Sequence, residues 1–157
     1  PRRDHGPGGG SAVSRIEAWL LHLGSLLVGG TGLVYAWMRY FATPADPDAV
    51  VSHPWQPMVQ HLHVLTAPLL VLAIGALFHS HAWTALRLGV RNGRASGLAM
   101  LVAALPMIAS GYLLQTAVEP GWRRLWVGIH LVAAGLWIAG HLVHAGRRFV
   151  RPPRRRR

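Results

Sequence analysis

Residues 126–148 read WVGIHLVAAGLWIAGHLVHAGRR. The stretch is long and apolar enough to cross a hydrocarbon core as a helix, for which about 20 residues suffice. It nevertheless carries His130, His141 and His144, and Arg147 and Arg148 close it. Lipid offers no water to a polar ring, so each histidine must find a partner within the protein or on a ligand. The apolar length bears on the fold, and the histidines pose the chemical question.

Three more blocks of this kind precede it, so the spans run roughly Ala18 to Phe41, Met58 to Trp83, Ser96 to Val118 and Trp122 to Gly146. Trp19, Trp37, Trp55, Trp83, Trp122 and Trp126 fall near the predicted ends, where an amphipathic ring meets the headgroups. Pro68 and Pro106 fall inside spans and predict kinks that neighbouring helices can accommodate. The pattern predicts an all-α integral membrane protein, an up-down bundle of four transmembrane helices. One membrane domain covers residues 15–148, between a flexible Gly/Pro-rich tail (1–14) and an Arg-rich tail (149–157). No internal repeat of convincing length stands out.

Only 13% of the 157 residues are charged and 52% are hydrophobic, too apolar a balance for a soluble domain of this size. The formal net charge is +11, and all 16 basic residues are arginine. Such a balance can signal nucleic acid. Here, however, Arg2, Arg3, Arg15, Arg87, Arg91, Arg94, Arg147, Arg148, Arg151 and Arg154 to Arg157 occupy the tails and one loop, flanking apolar blocks. The opposite side has Arg39, Arg123 and Arg124 beside Asp46, Asp48 and Glu119. Membrane topology accounts for this asymmetry and nucleic acid does not: the positive-inside rule places both termini in the cytoplasm. The terminal RRFVRPPRRRR then reads as an anchor on anionic lipid.

The chain has no cysteine, which excludes thiolate-held iron–sulfur clusters, zinc–thiolate sites and covalently attached c-type haem. With five carboxylates and ten histidines, imidazole is the one abundant ligand type. On the predicted topology His61 and His63 lie near the outer start of the second span and His130 near the outer start of the fourth. His22 lies near the cytoplasmic start of the first, and His141 and His144 near the cytoplasmic end of the fourth. His130 and His144 are 14 residues apart, ~21 Å of helical rise and about −40° of rotation, so their rings project from similar faces. One helix thus offers an imidazole to each half of the membrane, with His63 to face His130 and His22 to face His144. Two facing pairs suit two stacked bis-histidine haems, and ligation satisfies the rings.

Alternatives stand beside two of these four. His61 and His63 are about 200° apart and cannot both face one haem. Ala67, one turn beyond His63, leaves room that Leu65 denies His61. His141 is ~16 Å and about +20° from His130 and aligns well too. Gly29, Gly30, Gly32, Gly75 and Gly135 leave bare helix surface that a porphyrin needs, or that tight helix packing uses. His5 and His53 fall in solvent-exposed segments. His79 and His81, in FHSHAW, sit at the cytoplasmic interface or meet haem propionates or a quinone headgroup.

SRIEAWLLHLGSLLVGGTG, QHLHVLTAP and HLVAAGLWIAGHLVH together resemble the four-helix di-haem b-type cytochromes that serve as membrane subunits of bacterial formate dehydrogenases and nickel–iron hydrogenases. The resemblance covers about residues 15 to 148. The family's two fourth-helix ligands, 14 residues apart, map onto His130 and His144, and its second-helix ligand maps onto His63 or His61. Its first-helix Arg-x-x-His-Trp pattern reads here Arg15-Ile16-Glu17-Ala18-Trp19, so the expected histidine is Ala18 and His22 lies one turn further in. A haem one turn deeper would favour His141. The resemblance implies two non-covalent haem b groups, a quinone site, and electron transfer across a bacterial plasma membrane between the quinone pool and a periplasmic redox protein or other subunits of a complex. His79, His81 and His141, with Arg94, are the candidates for the quinone side, and the loop around HPWQP for docking. Two other classes compete: a stand-alone di-haem oxidoreductase acting between quinone and a small molecule such as superoxide, and a haem-free metal transporter using its histidines. Transport sites usually recruit carboxylates, and Glu17 is the one acidic residue near a span.

Overall fold

A computed structural model describes residues 15–44, 46–89 and 94–149. The tails expected at 1–14 (with His5) and from 150 on, and Arg91 in the central loop, lie outside the described residues, as do the side chains of His81, Arg94, Arg147 and Arg148. Four long helices form: α1 (Arg15–Tyr40), α2 (Gln56–Leu77), α4 (Arg94–Thr116) and α5 (Pro120–Phe149). Between α2 and α4, a π-helical stretch, Phe78–Ala82, prolongs α2 into the short α3 (Trp83–Arg87). All four long helices are long and apolar enough to cross a membrane, so the chain is an all-α, multi-pass membrane protein. Leu26, Leu65, Leu72, Leu105 and Leu136 are exposed, as side chains that face lipid should be.

The described residues form two compact units, those up to residue 89 and those from residue 94 on. In the first, α1 packs along α2. Gly32 lies against His63 and Gly24 against Leu70, so α1 steps back while α2 steps forward, and the pair is antiparallel. The buried residues Met38, Val59, Leu70 and Ala73 form its apolar seam. In the second, α4 packs along α5, with Gly111 against His130 and Met100 against Gly140. Its seam is Met100, Ala103, Ala104, Met107, Ala133 and Trp137, with Ser110 fully buried among them. Both seams use small residues, which let helix backbones approach where lipid supplies no hydrophobic drive.

Local chemistry sets the helix ends. Glu119 precedes Pro120, and its Oε1 and Oε2 accept the otherwise orphaned amides of Gly121 and Trp122, both at 2.8 Å. Those two bonds hold its carboxyl below the usual carboxylate range. Gly89, at φ 64°, ends α3 in the left-handed conformation that favours glycine. Trp122 and Trp126 stack at 6.1 Å at the start of α5. Arg87 lies 4.7 Å from the Trp83 ring centroid, a cation–π contact at the other end of the first unit. α2 and α4 run through Pro68 and Pro106 without breaking.

Candidate histidine ligand site

In the first unit His63 is half-buried against α1. Its Nδ1 lies 3.0 Å from the Val28 carbonyl oxygen and 3.3 Å from Thr31 Oγ1. A carbonyl can only accept, so Nδ1 carries the proton and donates it. The Thr31 hydroxyl donates to the Leu27 carbonyl at 2.6 Å, which turns its lone pairs toward the ring. Gly32 completes the frame: a methyl carbon placed there would lie 2.9 Å from His63 Cε1, so the ring rests where a side chain would otherwise stand.

The second unit repeats this frame atom for atom. His130 Nδ1 lies 3.0 Å from the Met107 carbonyl and 3.2 Å from Ser110 Oγ. Ser110 donates to the Pro106 carbonyl, and a methyl on Gly111 would lie 3.3 Å from His130 Cε1. Each frame has a carbonyl at one position, a hydroxyl three residues later and glycine next, with the histidine from the following helix. Superposing the frames aligns LHVLTAPLL (62–70) with IHLVAAGLW (129–137), and Thr31-Gly32 with Ser110-Gly111. The chain is therefore built from two like hairpins. This similarity escapes a sequence scan because Ala67/Ala134 and Leu69/Leu136 are nearly the only identities flanking the histidines, and the connections differ in length.

The same register treats the other ends of the hairpins differently. His144 Nδ1 lies 3.1 Å from Ser96 Oγ, 14 residues from the Ser110 frame on both helices. The corresponding positions of the first unit are Glu17 and Leu77, so no histidine stands there. His22 is exposed on α1, and His141 is half-buried on α5. His61 is exposed, unlike His63. His79, also exposed, lies in the π-helical stretch, a backbone form found often at functional sites. His53, expected to be an ordinary surface residue, is half-buried. Its Nδ1 accepts the Trp55 amide at 3.2 Å and its ring lies 6.3 Å from that of Trp37, so it shapes the HPWQP loop.

The glycines divide by role. Gly24, Gly32, Gly111 and Gly140 are sites of close contact, whereas a methyl on Gly30, Gly75 or Gly135 would meet nothing within 4 Å. The donor set fits a haem: His63 and His130 are fixed in the tautomer whose lone pair falls on Nε2, and bare helix surface remains at those three glycines. Residue type alone points to the histidines but not to Thr31, Ser96, Ser110 or the two carbonyls. The available signal was a hydroxyl followed by glycine, at residues 31–32, 96–97 and 110–111. No protein-family model, curated protein or solved structure matches the chain.

Proposed function

We propose that this protein is a di-haem b-type cytochrome of a bacterial plasma membrane, carrying electrons between the quinone pool and a periplasmic redox partner or partner subunit. The observation that carries the reading is the duplicated frame. On the topology read from the sequence His63 and His130 both lie near the outer start of their spans, and each ring is held by the same kind of frame within its own hairpin. His63 and His130, each with its ring proton held on Nδ1, would serve as the ligands of one haem. His22 and His144 would hold the second, about 14 residues or ~21 Å along α5 from the first. Bound with two imidazoles, haem supplies one-electron transfer with no vacant position for oxygen chemistry.

The chain's residues do the rest. The Val28 and Met107 carbonyls hold the ligand protons, and Gly32 and Gly111 admit the rings. His79, His81 and His141 are the candidates for proton exchange with a quinone on the cytoplasmic side, where the arginine distribution puts both termini. The testing experiment is a dithionite-reduced minus oxidised spectrum of the purified protein, with haem and protein quantified together. Two haems per chain with a b-type α-band are expected. One haem would remove one of the two histidine pairs, with His22, which stands one turn beyond the family's first-helix position at Ala18, first in question, and none would overturn the reading.

A further inference from the structure

We infer that Thr31 and Ser110 are a matched pair of positioning residues that set the donor strength of the His63 and His130 imidazoles. The inference rests on the haem reading for its redox consequence, but its structural half stands apart from it. Each hydroxyl is held from behind by its own bond to the carbonyl four residues earlier, Leu27 at 2.6 Å and Pro106 at 2.5 Å. With its hydrogen committed there, the oxygen can only accept, at 3.3 Å and 3.2 Å from the Nδ1 atoms. Each Nδ1–H is thus shared between a carbonyl and a hydroxyl oxygen. Two acceptors on one N–H draw the proton away from the ring, giving the imidazole imidazolate character and making Nε2 a stronger donor. A stronger donor favours ferric iron over ferrous and lowers the midpoint potential.

The matched pairing does not extend to the other end of the hairpins. At the far end of the second hairpin Ser96 Oγ approaches His144 Nδ1 at 3.1 Å, but Glu17 stands where the first hairpin would need a matching hydroxyl.

The test uses the full chain with Thr31→Val, Ser110→Ala and the double variant. Both haems should be retained, and redox titration should show one midpoint rising in each single variant, further in the double, with the other unmoved. Retained haem with unmoved midpoints, or equal movement of both, overturns the inference. Histidine-selective 15N NMR of the reduced, diamagnetic protein supplies a readout independent of potential. His63 and His130 should show the Nδ1-protonated form, with the Nδ1 signal displaced by loss of the hydroxyl. If the wild-type chain takes up no haem, the functional proposal fails, and the same NMR comparison on the haem-free chain still decides whether Thr31 and Ser110 position the rings. Unaltered ring signals in the variants would refute it.

Discussion

Replacing Gly32 by alanine tests the frame around His63 most directly. The new methyl would lie 2.9 Å from His63 Cε1 and 3.2 Å from Nδ1. Non-bonded carbons settle about 3.5–4.0 Å apart, so the ring must retreat by about 0.6–1 Å. That retreat carries Nδ1 away from acceptors now at 3.0 and 3.3 Å. Overpacking of this kind costs about 1–3 kcal/mol, and each weakened bond adds up to about 0.5–1.5 kcal/mol. Helix propensity opposes the loss by up to about 1 kcal/mol. The net expectation is a destabilisation of about 1–5 kcal/mol, with the ring displaced. Gly30→Ala is the control, since a methyl there meets nothing within 4 Å. It should leave stability unchanged or slightly raised, while crowding any haem beside it. Unfolding of the purified protein by SDS in mixed micelles, with the α-band recorded alongside, separates the two. The reasoning is refuted if Gly32→Ala is as stable as Gly30→Ala and keeps an unaltered α-band.

Three further outcomes are expected. His63→Ala and His130→Ala should each abolish the same haem while His144→Ala abolishes the other, and haem quantitation with redox titration would show otherwise if His63 and His130 serve different haems. Gly24→Ala should destabilise more than Gly140→Ala although its contact is longer, 3.2 Å to the Leu70 Cα against 2.8 Å to Met100 Cγ. A backbone atom cannot step aside and a methionine side chain can, so reversed order in the same unfolding assay would contradict the packing described. Glu119, its carboxyl pKa lowered chiefly by the Gly121 and then the Trp122 amide, stabilises the folded chain above its unfolded value of about 4.3. That contribution is lost as pH falls through the depressed folded value. The stability gap between wild type and Glu119→Gln should therefore be steady near neutrality and close in acid, and a gap that widens in acid would contradict it.

The sequence by itself determined that the chain crosses a membrane four times as helix, because a ~30 Å hydrocarbon layer leaves an apolar block of this length few other structures. It also left histidine as the one abundant candidate ligand type, since the chain has no cysteine and carboxylates are scarce. Helical spacing could not choose between His61 and His63, because rotation along one helix says nothing of which face meets a neighbour. Tertiary packing shows which ring meets a neighbour: it put His63 on the Val28–Thr31–Gly32 frame and left His61 exposed. Packing also revealed the second copy of that frame at Met107, Ser110 and Gly111. A carbonyl is the same atom in every residue, and its availability at Val28 or Met107 arises only when a second helix lays a ring beside it. That is why the frame was invisible in the sequence and plain in the fold.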